Sequence, residues 1–179
     1  AAVIAAAQGP LGSVALWDLE TGALEHDLAL PSAPWHVALN ASGTRVLAAT
    51  ERAVVLFDAA SGSQAARVPT QTEFVLPPVF STDGAYLAIA ERVDDAAPLY
   101  SVLRAEDGSF VESFEGAADV ERWELGPGAR YAALLGPSHV VRIVSTRGGL
   151  EQVRLVHEAA VERLAHLPSG VVVTVDAQA

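Results

Sequence analysis

The sequence predicts an all-β fold assembled from repeated small antiparallel sheets, and three observations predict it. Apolar residues gather in runs of about five, rich in branched side chains and divided by polar turns. Glycine-ended turns recur in two interleaved series of one period. Helical spacing is almost absent.

The first series begins in VALWDLETG, residues 14–22, where an alternating apolar stretch meets Trp17-Asp18 and a tight turn closing on Gly22. The same layout ends at Gly62 (FDAASG), Gly108 (LRAEDG) and Gly148 (IVSTRG), in steps of 40, 46 and 40 residues. The second series ends at Gly43 (ALNASG), Gly84 (PVFSTDG), Gly128 (WELGPG) and Gly170 (AHLPSG), in steps of 41, 44 and 42. Glycine suits these positions because a positive φ costs it little. Between the turns run VLAAT, AVVLF, YLAIA, YAALL, VVRIV and VVVTV. Strands without a polar face are buried on both sides, as when sheets stack on one another. Residues 149–167 place Leu150, Val153, Val156, Ala160 and Leu164 near helical spacing. Their position in the repeat is nevertheless that of a fourth strand followed by a first, and strands are expected there.

Four strands per period of roughly 40–45 residues is the pattern of a β-propeller. The segment FSTDGAYLAIA, residues 80–90, followed by PLYSVLRAEDG, resembles a WD40 blade, and so does VALWDLETG. Trp17-Asp18 has an echo in Phe57-Asp58; the third and fourth units carry Leu103-Arg104 and Ile143-Val144. The Gly-His pair that precedes the first strand in that family is missing. So is the aspartate of its hairpin between second and third strands, where Glu51-Arg52, Glu91-Arg92 or Gly136-Pro137 stand. The resemblance covers the whole chain and divides it into units at 1–32 (partial), 33–72, 73–118, 119–159 and 160–179 (partial). Residues 1–9 and 171–179 both fall in second-strand phase, so one strand position is used twice. A closed four-bladed ring has no place for the extra strand; the expectation is an incomplete arc of a six- to eight-bladed propeller. The chain contains no methionine and reads as a segment of a longer protein, and its abundant alanine gives it a bacterial look.

Apolar residues make up 51% of the chain and charged residues 18%, which excludes a disordered tail. The net charge of −11 repels phosphate backbones and anionic lipid heads, so neither nucleic acid nor membrane insertion is expected; basic protein surfaces suit that field better. No apolar run reaches the ~18 residues that span a bilayer, and the reading leans to the cytoplasm. Without cysteine there are no disulfides and no thiolate chemistry. His26, His36, His139, His157 and His166 lie scattered, without zinc spacing, and no nucleophile elbow, phosphate loop or dinucleotide fingerprint occurs. No cofactor and no enzymatic activity are expected.

The resemblance implies that loops from fourth to first strands and from second to third strands line one docking face. Three clusters map there: Trp35 with His36; Glu73 with Phe74; and Asp119, Glu121, Arg122 and Trp123. Aromatic and arginine anchors in a polar rim are typical of binding hot spots, although Trp35 and Trp123 could equally pack between blades. Asp94 and Asp95, in the long third-unit loop, form an acidic projection suited to a basic partner; they lack EF-hand spacing. The repeated Glu51-Arg52 and Glu91-Arg92 read as scaffold ion pairs. The expected function is a non-catalytic interaction scaffold docking a partner protein or another domain of the parent chain. The alternatives are part of a propeller enzyme with a central-channel site, against which the mostly apolar first strands count, and a structural subunit of an assembly.

Overall fold

A computed structural model of the chain describes residues 3–8, 12–70, 72–92, 97–137 and 139–177. Four first strands carry the unit pattern: β4 (His36–Leu39), β8 (Phe74–Phe80), β12 (Arg122–Leu125) and β16 (Val161–His166). The second strands are β1 (Val3–Gln8), β5 (Arg45–Thr50), β9 (Tyr86–Glu91), β13 (Tyr131–Leu135) and β17 (Val172–Asp176). Third strands are β2 (Ser13–Asp18), β6 (Ala53–Asp58), β10 (Leu99–Arg104) and β14 (Val140–Ser145); fourth strands are β3 (Leu24–Ala29), β7 (Gln64–Pro69), β11 (Phe110–Glu115) and β15 (Glu151–Val156). They pair as consecutive antiparallel meanders: β1–β3, β4–β7, β8–β11, β12–β15 and β16–β17. β1 pairs with β2 rather than closing onto β16, so the described strands form an arc and not a four-bladed ring. The stretch with helical spacing is strand, in β15 and β16. Among the described residues no helix is long and apolar enough to cross a membrane.

The core lies between the sheets, because side chains on one strand alternate between two neighbours. Val46 and Ala48 of β5, with Val55 and Phe57 of β6, pack on Val14, Leu16 and Leu28 of the first sheet. Leu47 and Ala49, with Val54 and Leu56, face the other way, onto Leu87, Ile89 and Leu103 of the third. The pattern repeats: Ala88, Ala90, Tyr100 and Val102 meet Trp123, Leu125, Ala132 and Leu134, while Ala133, Leu135 and Val141 meet Val161. Alanines at 48, 49, 88, 90, 132 and 133 are fully buried, and their small side chains let adjacent sheets come close. Fourth strands face solvent: β7 and β15 are largely exposed. On the last sheet Val173 and Val175, 41% and 38% exposed, point away from the fourth sheet.

Each third-to-fourth pairing in the four sheets that have one carries a register shift at the same place, after Leu16, Leu56, Val102 and Ile143. A bulge there adds twist as the outer strand is reached. In the first two sheets the turn that follows is capped by the aspartate before it. Asp18 Oδ1 accepts from the amides of Glu20 and Thr21 and from the Thr21 hydroxyl, at 2.7–2.9 Å. Asp58 Oδ1 does the same for Ser61, and its Oδ2 accepts from Arg45 Nη1. In the fourth unit Gly149, not Gly148, donates to the carbonyl four residues back as Gly22, Gly62 and Gly108 do, a one-residue difference from the sequence alignment. Gly62 is constrained twice: its φ is +67° and the His26 ring of the previous sheet lies 2.8 Å from where a Cβ would stand.

The Ser61 amide and hydroxyl hold Asp58 below the usual carboxylate range, with Arg45 adding a smaller pull. A carboxyl more acidic in the folded state stabilises above its unfolded pKa, and that contribution is lost as pH falls through its folded value. Stability measured by urea unfolding should therefore fall below about pH 4, and Asp58→Asn should flatten that fall while lowering stability at neutral pH.

Candidate docking cleft

The loops leading into the first strands and the hairpins joining second to third strands lie at one end of the sheets. At the junction of the second and third sheets they bound a cleft of about 550 Å³ lined by Trp35, Glu51, Arg52, Thr70, Thr72, Glu73 and Phe74. Its first wall is the tip of the β5–β6 hairpin. Thr50, 2% exposed, donates its hydroxyl to the Ala53 carbonyl at 3.1 Å and closes that tip, leaving Glu51 and Arg52 in solvent. Trp35 folds back along β5, its amide bonded to the Ala49 carbonyl at 2.9 Å and its indole Nε1 to the Thr50 carbonyl at 3.2 Å. The second wall is the segment entering β8. The Thr70 amide bonds the Arg52 carbonyl, the Thr72 hydroxyl reaches Glu91 Oε1 at 3.4 Å, and the Arg92 amide bonds the Glu73 carbonyl at 3.0 Å. The Trp35 and Phe74 rings meet across the junction, centroids 5.4 Å apart and tilted by 57°.

Trp35 keeps 47% of its surface exposed even so. Its ring is held through the indole nitrogen and by contacts with the rings of Phe74 and His36. Thr70 is 9% exposed, and its hydroxyl has no hydrogen-bond partner among the described residues. A smaller cleft of about 330 Å³ at the opposite end of the sheets differs in kind. There Asn40 already bonds Thr44, Arg45 and the Gly84 carbonyl, and Asp83 takes the Ser81 hydroxyl and the Gly128 amide. Those groups staple successive sheets together.

The other residues singled out in the sequence take different places. Trp123 is core: 4% exposed, it meets Tyr100 edge-on at 5.1 Å and donates Nε1 to the Pro77 carbonyl at 2.8 Å. Burial pushes the Tyr100 hydroxyl up to about 12. Arg122 spends Nη1 on the Glu162 carbonyl of the next sheet, at 2.5 Å. His36 holds an equivalent position, since His36 pairs with Ala49 as Arg122 pairs with Leu135. Its ring likewise turns to the next sheet, toward the Pro78 carbonyl; burial holds its pKa down against that hydrogen bond. The two prolines explain both contacts. Pro77-Pro78 breaks the β8–β9 register, and the freed carbonyls face the sheets on either side. Asp94 and Asp95 lie outside the described residues. Glu51 and Arg52 line the cleft instead of pairing across blades; at this end Arg142 pairs with Asp119 at 2.6 Å, and His157 Nδ1 lies 3.6 Å from Asp176 Oδ2. Thr70 and Thr72 carried no sequence signal, because a threonine in a loop is indistinguishable from a turn residue.

No family model matches the chain, and no curated protein matches it in sequence. Solved structures do match, 922 chains of them. One is the β-propeller domain of Cps50 (Swd1) from Myceliophteria thermophila, at a TM-score of 0.71 and 15% identity. The fold is that of a β-propeller. The superposition takes in 97% of this chain and 58% of that domain, so the propeller blades described here span a little over half the length of the structure they match. At that identity the likeness establishes architecture alone.

The two tryptophans should separate cleanly in unfolding experiments. Trp123→Ala, which empties a buried site and orphans the Pro77 carbonyl, should cost about 3–5 kcal/mol. Trp35→Ala should cost about 1 kcal/mol. Urea denaturation followed by circular dichroism checks both.

Proposed function

We propose that this chain is a non-catalytic protein-interaction scaffold of a divergent WD40-like kind, and that its partner docks at the Trp35 cleft. One observation carries the reading: a large aromatic ring, pinned at its indole nitrogen and against Phe74, keeps 47% of its surface in solvent over an open cleft. A rigid aromatic with an exposed face and little rotamer freedom left to lose is what an interface anchor requires. Fixed sheets on both sides preorganise it.

The capped turns support the WD40-like assignment, Asp18 and Asp58 holding equivalent places in the first two sheets. The likeness to another propeller agrees with a scaffold role. Among the described residues no three histidine or acidic side chains gather as metal ligands. The blades continue, in this reading, into a six- to eight-membered ring whose further sheets cover Val173 and Val175.

Selection of a displayed random-peptide library on the purified chain tests the docking site. Enriched peptides should bind at least about tenfold more weakly to Trp35→Ala, the loss of one hot-spot anchor. Peptides that bind Trp35→Ala as tightly as the parent, or a library that yields no binder, would contradict the assignment.

A further inference from the structure

We infer that the cleft selects a basic side chain, arginine above all, from an extended segment of the partner. This rests on the reading of the cleft as a docking site and adds what that site recognises. Three observations converge. Trp35 lines the cleft with its indole tilted against Phe74 and nearly half of its surface exposed, and an indole face attracts a cation and stacks well with a planar guanidinium. Two carboxylates, Glu51 and Glu73, line the same space, and neither has a hydrogen bond or ion pair from its side chain among the described residues. They flank the ring from opposite walls, one on the β5–β6 hairpin and one on the segment entering β8. The third is the Thr70 hydroxyl, buried beside the cleft and without a hydrogen-bond partner among the described residues.

A guanidinium suits the ring and the two carboxylates at once. Its face stacks on an indole while its five N–H groups lie in the plane, free for carboxylate and hydroxyl oxygens. An ammonium supplies the charge without the planar face. A carboxylate ligand would meet Glu51 and Glu73 with like charge, and only Arg52 among the lining residues opposes them. The long-range field agrees, since a chain of net charge −11 draws basic segments toward it.

The test is a ¹H–¹⁵N titration of the whole chain with the peptide Ac-Gly-Gly-Arg-Gly-Gly-NH₂ and with its lysine, citrulline and glutamate counterparts. The Trp35 indole N–H and the amides of Thr70 and Thr72 should shift saturably with the arginine peptide. Lysine should bind several-fold more weakly, and neutral citrulline, which keeps the shape, about tenfold more weakly. Glu73→Gln, at an exposed position whose side chain bonds nothing described, should weaken the arginine peptide several-fold and leave the spectrum otherwise that of a folded chain. Added salt should weaken it further. Equal responses to arginine and citrulline, shifts that map elsewhere, or no shift at millimolar peptide would overturn the inference. Library peptides that need Trp35 but carry no basic residue would overturn it while leaving the docking site standing; failure of both experiments would remove both.

Discussion

Burial of both faces of the second and third strands is the constraint from which the remaining features follow. Val46 and Leu47 are adjacent in sequence and both fully buried, yet they belong to different cores. Such a strand cannot satisfy its side chains within one sheet. It needs a neighbour in front and another behind, and the alternation of β geometry delivers one residue to each. Stacking is therefore obligatory rather than incidental. Small residues at 48, 49, 88, 90, 132 and 133 keep the spacing tight, and the innermost strands come side by side as β4, β8, β12 and β16.

Function then depends on what the stack leaves over at its ends. One end is consumed by stapling: Asn40, Asp83, Thr82 and the Ser81–Leu125 bridge tie each turn to the next. At the other, the segments entering the first strands and the second-to-third hairpins, of which β5–β6 has a two-residue tip, meet at the junctions, and the outcome depends on local detail. Between the third and fourth sheets the junction is filled by Trp123 and Tyr100. Between the second and third, Trp35 stands one residue before its strand and covers the junction without filling it. A cleft remains because a large side chain sits at the rim instead of the centre.

The repeat was legible in the sequence because glycine turns and apolar runs are imposed by backbone geometry, which every unit must obey. Strand phase, the arc of sheets and the two strands within 149–167 followed from counting alone. Front-and-back assignment was harder, since one residue of offset sends a strand side chain to the other neighbour. Trp35 and Trp123 looked equivalent by their place after a loop, but register makes Val37, not Trp35, the counterpart of Trp123. The same register pairs His36 with Arg122 and turns both toward the following sheet. Nothing in the text of the sequence announced that Pro77 and Pro78 would free two carbonyls for neighbours on either side. Nor could composition show that the Thr70 hydroxyl is buried without a hydrogen-bond partner among the described residues; that is a property of segments meeting in space.

Native-state hydrogen exchange on the parent chain and on Leu47→Ala tests the stacking most directly. Leu47 lies in β5, and its side chain contributes to the core shared with Leu87 and Ile89 of β9. If the sheets stabilise one another face to face, the slowest amides of β9 should accelerate together with those of β5. Acceleration confined to the β4–β7 sheet, with β9 exchanging as in the parent, would mean that each sheet stands alone and would contradict the account.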